Sequence, residues 1–307
     1  MNQPENKFVL VTAAYNEESY IERTIQSIAA QTSLPSRWAI VSDGSTDRTD
    51  EIVNDYAGRY PFIKLVRITE EHPRNFAAQV YAINRGCQQL QSEEYQYIGN
   101  VDADVSFEPN YFSQVLERFG HDPKLGIAGG YIFERRNGVF ETRPMNSENS
   151  VAHAVQVFRR ECFERIGGYT ALPYGGPDWY IQVQARMQGW HVRAFPDLPV
   201  QHYRPTGGAD RPFPGLFRQG RMDHSLGSYP PFELMKLVRR FRAKPYVIGS
   251  LVRLSGFVWG YLSNEKRMVS DEFVHYLRSE EKARLLNIFK RTPKKAVLQS
   301  SSLKTRG

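Results

Sequence analysis

The sequence predicts an α/β protein: an open, mostly parallel sheet with helices on both faces, carrying a basic helical extension toward its C-terminal end. Three observations lead there. Between residue 7 and about residue 120, short runs rich in Val, Ile and aromatic residues alternate with segments of helical periodicity. The turns that leave those runs collect Asp, Asn and Glu, and the charge balance reverses near residue 232.

"KFVLVTA" is the first strand. It gives way to "ESYIERTIQSIAAQT", where Ile21, Ile25 and Ile28 fall at i, i+4 and i+7 on one helical face. "WAIVS" is the second strand, and "DGSTDRTDEIVNDYAGRY" the second helix, with Ser45 or Thr46 as its cap and Asp47, Asp50 and Glu51 suited to its positive N-terminal end. "FIKLVRI", "RNFAAQVYAINRGCQQL" and "YQYIGNV" supply a third strand, a third helix and a fourth strand.

Strands joined through helices lie parallel, with right-handed crossovers, and ligands of such sheets gather outside the carboxyl ends of the strands. Three turns therefore share one rim: "AAYNEE", "SDGSTD" and "DADVS". There is no G-x-G-x-x-G after the first strand and no G-x-x-x-x-G-K-[ST] anywhere, which excludes dinucleotide and P-loop phosphate cradles. Asp102 and Asp104, separated only by Ala103, can point to the same side once the chain leaves the pleat, where they offer hard oxygen ligands to Mg²⁺ or Mn²⁺. The same pair would also serve to satisfy turn backbone and cap a helix starting near Pro109; the two residues alone leave both readings open.

With these segments in view, the chain resembles the family 2 glycosyltransferases, nucleotide-sugar enzymes of the GT-A fold. The resemblance is carried by "VTAAYNEESYIERTIQSIAAQT", "VSDGSTDRTDEIV", "NVDADVSFEP" and "GGYTALPYGGPDWYIQVQARMQGWHV", in the family's order and spacing. It implies that Ala14, Tyr15, Asn16 and Glu17 line the nucleotide pocket, that Asp43 binds the base and ribose side, and that Asp102 and Asp104 hold the metal on the donor diphosphate. It also implies a catalytic domain over residues 1–231, with a nucleotide-binding half at 7–104 and an acceptor half at 105–231. The family's second-strand motif often begins with two acids; here the first position is Ser42, a difference that bears on donor preference rather than on the Asp43 contact.

Such a reaction breaks an anomeric C–O bond and expels a nucleoside diphosphate, whose developing charge a divalent ion neutralises. A carboxylate must also take the proton of the acceptor hydroxyl. Asp178 in "YGGPDWYIQVQARMQGWHV" is the candidate, at the start of a helix that Pro177 initiates and Gly189 ends. By composition alone it reads equally as a helix-capping Asp. The family usually places Glu-Asp here with the second acid as base, and Pro177 stands in for the first.

Further candidates follow the same resemblance. His202, after the strand "WHVRAFPDLPV", is a third metal ligand or a diphosphate contact. Arg218, Gln219 and Arg221 echo a Gln/Arg-rich element near the diphosphate and acceptor, and Arg74 in "HPRNFAAQ" is placed to reach the nucleotide. Trp179 and Tyr180 stack on an acceptor sugar or pack the core.

Composition sets the remaining bounds. The chain has 307 residues, 41% of them hydrophobic and 24% charged, which is ordinary for a folded domain with an appendage. Its two cysteines exclude a disulfide framework and fit a reducing compartment, and the polar N-terminus does not read as a secretory signal, so the expected location is cytoplasmic. Residues 232–307 hold 17 Lys/Arg against 6 Asp/Glu, whereas residues 1–231 hold 23 against 27. "PYVIGSLVRLSGFVWGYL" is apolar but carries Arg253 at its centre, which makes it a poor span and a better helix for the membrane interface, so residues 232–267 are read as a peripheral membrane contact. Packing on the catalytic domain, or on a second copy, is the rival reading for that helix. Residues 232–290 form the basic extension and residues 291–307 a polar, disordered tail; nucleic acid is not an expected partner.

The resulting expectation is a Mn²⁺- or Mg²⁺-dependent, inverting glycosyltransferase that moves a sugar from a nucleotide diphosphate to a saccharide or lipid-linked hydroxyl. UDP is the expected nucleotide, although a single carboxylate on the second strand accepts an N–H from uracil or guanine alike. Two rivals are a sugar-phosphate nucleotidyltransferase, which wants a Gly-rich basic turn where this chain has "TAAYNEE", and a non-catalytic nucleotide-sugar or membrane-binding protein.

Overall fold

A computed structural model describes residues 7–69, 77–204, 212–241 and 246–290. Its first half follows the expected alternation: β1 (Phe8–Ala14), α1 (Ile21–Ala29), β2 (Arg37–Asp43), α2 (Thr49–Arg59), β3 (Ile63–Ile68), α3 (Ala78–Gln89) and β4 (Tyr97–Val101). These four strands are parallel, in the order β3-β2-β1-β4. Alternate residues of β1 feed two cores: Phe8 and Leu10 join Ile21, Ile25 and Ile28 on one face, and Val9 and Val11 join Val80 and Ile83 on the other. The three isoleucines of α1 are fully buried, each worth about 1.5–3 kcal/mol of transfer free energy.

Beyond β4 the sheet becomes mixed. The chain adds β5 (Val105–Phe107), α4 (Tyr111–His121), β6 (Leu125–Arg136), β7 (Val139–Thr142), β8 (Val155–Arg159), α5 (Arg160–Ile166), α6 (Pro177–Met187) and β9 (His191–His202). Strand β8 pairs antiparallel with β4, β6 antiparallel with β8, β9 parallel with β6, and β5 antiparallel with β9, while β7 forms a hairpin with β6. Strands β6 and β8 lay outside the expected set. In β6, Gly130 interrupts the apolar pattern because the β9 backbone runs over it: a Cβ there would sit 1.9 Å from the Leu198 carbonyl oxygen.

A helical layer follows: α7 (Pro212–Ser225), α8 (Pro230–Arg240), α9 (Tyr246–Leu262) and α10 (Asp271–Lys290). Leu226 after α7, Phe273 and Leu277 of α10, and Val183 of α6 form a third core, so the basic extension is packed onto the α/β body. Helices α7 and α9 touch backbone to backbone, since a Cβ on Gly256 would lie 2.0 Å from the Phe217 carbonyl oxygen. One expectation is corrected at α2. Its first amides are met not by Ser45 or Thr46 but by Asp47, whose Oδ1 accepts the Thr49 N–H at 3.0 Å.

Candidate active site

The first two turns of the rim are fastened together. Asn16 adopts a left-handed backbone (φ 54°), which Asn tolerates better than most residues, and this turns its side chain onto the second loop. Its Oδ1 accepts the Thr46 N–H at 2.8 Å and its own N–H reaches Ser45 Oγ at 3.1 Å, so the two polar residues once read as caps instead join loop to loop. Glu17 N–H donates to Thr49 Oγ1 at 2.7 Å. Ala14 ends β1 in the core, Tyr15 beside it is exposed, and Asp43 ends β2 almost completely buried.

The third turn is held from α1. Thr24 Oγ1 lies 2.8 Å from the carbonyl oxygens of both Ala103 and Val105 and accepts the Val105 N–H at 3.2 Å, fixing the backbone between and after the two acids. The Asp102 N–H donates to the Ala154 carbonyl at 3.0 Å, and α4 begins without help from either carboxylate. The capping alternative therefore fails for this pair. Instead, one ligand atom each from Asp102, Asp104 and His202 lie within 4.8 Å of one another, because β5 and β9 pair Val105 with His202.

Both oxygens of Asp104 are engaged: Oδ1 with His202 Nε2 at 3.2 Å and Oδ2 with Arg204 Nε at 2.7 Å. Arg204 also grips Glu17, bridging the first turn to the third. Burial works to raise the Asp104 carboxyl, but the His202 hydrogen bond and the charges of His202 and Arg204 outweigh it and hold it below the ordinary range. Among the described residues Asp102 has no such partner, receiving the Gln79 amide at 3.1 Å, and burial raises it. Burial likewise lifts Glu17 to about 7 against the pull of Arg204. Two carboxylates and an imidazole at this spacing suit a Mn²⁺-type ion, with the carboxylates the harder ligands.

Asp178 lies in the first turn of α6, after Gly176 in a left-handed conformation and Pro177, and no side chain caps that helix. The residue is positioned by Gln182 one turn on. This buried amide donates to the Asp178 carbonyl at 2.7 Å and to the Val151 carbonyl at 3.0 Å, and accepts the Val151 N–H at 2.8 Å. The buried Tyr169 hydroxyl donates to Gln156 Oε1 at 2.5 Å; burial, and secondarily the charges of Asp178 and Asp102, push its pKa up.

The remaining candidates fare differently. Arg218 donates to the Tyr174 carbonyl at 2.6 Å, Arg221 contacts the Tyr174 hydroxyl and Glu265, and Gln219 accepts from Arg253 of α9. Their described contacts thus brace the 172–176 loop and α9. Trp179 and Tyr180 are half-buried against the third core, Tyr180 against Phe273 at 4.8 Å between ring centroids. Arg74 lies outside the described residues. Sequence reasoning missed Arg204, Thr24 and His153. His153 stands next to Asp102 electrostatically and has neither ring nitrogen hydrogen-bonded. Arg204 alone had a legible signal, two residues beyond His202.

Comparison with known proteins gives this geometry a class. The model of the family described as "Glycosyl transferase family 2" matches residues 9–173, more than half of the chain, and the protein belongs to that family. Its fold is GT-A-like. Over 118 residues it is 31% identical to poly-β-1,6-N-acetyl-D-glucosamine synthase of Staphylococcus aureus; the match takes in 38% of this chain and 26% of that one, so the chain spans about a quarter of that relative's length. Among solved structures it is similar to a mannosyltransferase from Pyrobaculum calidifontis in complex with GDP-Man and Mn²⁺, with TM-score 0.56 and 17% identity over 94% of this chain and 86% of that one. It is also similar to S. aureus TarS in complex with UDP-GlcNAc, with TM-score 0.52 and 14% identity over 92% and 79% of the respective chains.

Proposed function

We propose that this protein transfers a sugar, with inversion, from a nucleotide diphosphate to a hydroxyl of a saccharide or lipid-linked acceptor, in the assembly of a cell-surface polysaccharide or related glycoconjugate, with UDP as the carrier nucleotide. One observation carries the reading: ligand atoms of Asp102, Asp104 and His202 converge within 4.8 Å on the rim that also holds Asp43 and the Ala14–Glu17 turn. The Mn²⁺ and nucleotide sugars bound by structural neighbours support the same choice of donor and ion.

Asp102, Asp104 and His202 are the residues that would hold Mn²⁺ or Mg²⁺, which when bound would supply Lewis-acid neutralisation of the departing diphosphate. The protein's own groups do the rest. Asp43 accepts an N–H from the base, and Tyr15 and Asn16 close the nucleotide side. Asp178 takes the proton of the acceptor hydroxyl as its oxygen bonds to the anomeric carbon and the carbon–oxygen bond to the diphosphate breaks. The Gln182 tether keeps that carboxylate in register with the rim.

The test is direct. Purified protein with Mn²⁺ is offered UDP-GlcNAc, UDP-glucose and GDP-mannose with saccharide and lipid-linked acceptors, and nucleotide release is followed. Turnover with one donor is expected. Asp178→Asn should lower kcat about 10²–10⁴-fold while leaving donor affinity by calorimetry nearly unchanged. Normal turnover in that variant would remove Asp178 from the chemistry, and failure of every donor would favour a non-catalytic binding protein.

A further inference from the structure

We propose that α9 is the platform on which this protein lies against an anionic lipid bilayer. The helix is apolar on two opposite sides for two different reasons. Gly249, Gly256, Phe257 and Gly260 are buried, and the glycines let α7 approach so closely that a Cβ on Gly220 would meet the Arg253 carbonyl at 1.9 Å. The other side carries Val247, Ile248, Leu251, Val258, Trp259 and Leu262, all exposed, Leu262 at 75%. At 100° per residue these six fall within one stripe, about 22 Å long.

Three observations choose the occupant. Between Leu234 and Met268 the sequence has eight Lys/Arg and one acid, Glu265; that acid is turned inward to Arg221, and of the cations Lys236 is held inward by Asp223 and Glu233. Arg253, the cation inside α9, is likewise withdrawn, donating to Asp223 at 2.8 Å, so it does not interrupt the exposed stripe. Lys266 and Arg267, four and five residues beyond the end of α9, are exposed and suited to phosphate headgroups. Among the described residues no helix is long and apolar enough to cross a membrane, and an apolar stripe on one side of a helix packed on α7 by its other side fits a helix lying along a surface. A symmetric second copy fits less well, because it would bring two basic segments face to face.

This surface stands apart from the proposed chemistry but connects to it through packed elements. Helix α9 sits on α7, and Arg218 and Arg221 of α7 hold the Tyr174 loop that leads into Asp178. If the transfer reading is right, a bilayer under α9 presents a lipid-linked acceptor on the Asp178 side.

The experiment is vesicle flotation of the full chain with phosphatidylcholine alone and with added phosphatidylglycerol. Binding is expected to the anionic vesicles and to fall about tenfold or more when phosphatidylglycerol is left out or salt is raised. Leu251→Asp and Trp259→Asp should each weaken it at least about tenfold with an unchanged melting curve. Brominated lipid chains should quench tryptophan fluorescence in the unsubstituted chain. The proposal is overturned if anionic vesicles do not bind, if both variants bind as before, or if sedimentation shows a dimer that the variants abolish while vesicles are ignored. Because the vesicles need neither metal nor donor, an inactive transfer site would leave these results untouched.

Discussion

Two buried charge clusters sit in this protein, and they are built differently. At the rim, Asp102, Asp104 and Glu17 face Arg204 and His202, Arg204 is half-exposed, and among the described residues Asp102 is hydrogen-bonded by the Gln79 amide, with His153 nearby. In the helical layer, Asp223 receives Lys236 at 3.2 Å and Arg253 at 2.8 Å, Lys236 also reaches Glu233, and all four side chains are below 20% exposed. The second cluster is closed on itself and joins α7, α8 and α9. The first leaves Asp102 without a charged hydrogen-bond partner among the described residues, which is what the proposed cation site requires.

The contrast can be broken most decisively at Asp104. Asp104→Ala should cost about 10³-fold in turnover or more and abolish Mn²⁺-dependent donor binding in calorimetry. Arg253→Met should do the opposite. It strands Asp223 in the helical layer and should cost about 3–5 kcal/mol in denaturant unfolding, with Mn²⁺ affinity unchanged.

Smaller effects sharpen the picture. Burial raises the Glu17 carboxyl from an ordinary 4.5 to about 7, so the folded protein binds its proton more tightly than the unfolded chain does. The corresponding stability is fully present below 4.5 and lost as pH rises to about 7, on the order of 3 kcal/mol in all; Glu17→Gln should flatten the unfolding free energy across that window. The smallest change is expected at Arg204. Its guanidinium occupies one Asp104 oxygen, so Arg204→Met should tighten Mn²⁺ binding about tenfold in titrations without nucleotide. Weaker or equal binding would show that Arg204 does not compete with the ion.

The sequence was readable wherever one periodicity ran uninterrupted. Ile21, Ile25 and Ile28 announced α1, and the apolar runs announced the four parallel strands, because β1, β2 and β4 are buried on both faces and β3, at the edge, still alternates with its charged residues outward. Strand β6 was not readable: Gly129 and Gly130 are there to let other backbone pass, and that need is set by distant residues. The same holds at the site. Asp102 and Asp104 are neighbours in sequence and carried their own signal, and His202 was drawn in by resemblance. Thr24 looked like one more helical residue, since only the fold brings its hydroxyl beneath a turn about 80 residues away. Asn16 spoke for itself as part of a turn, but not as the clasp between two loops.

The Gln182 tether has a consequence for how this scaffold could change. It clamps both backbone groups of Val151, and from Val151 the chain runs three residues to Ala154, whose carbonyl receives the Asp102 amide. One amide side chain thus sets the spacing between α6 and the Val151 segment that leads to Asp102. Shortening it by a single methylene, as in Gln182→Asn, would reset that spacing and leave both carboxylates chemically intact, a route by which descendants of this fold could retune reach without rebuilding their chemistry.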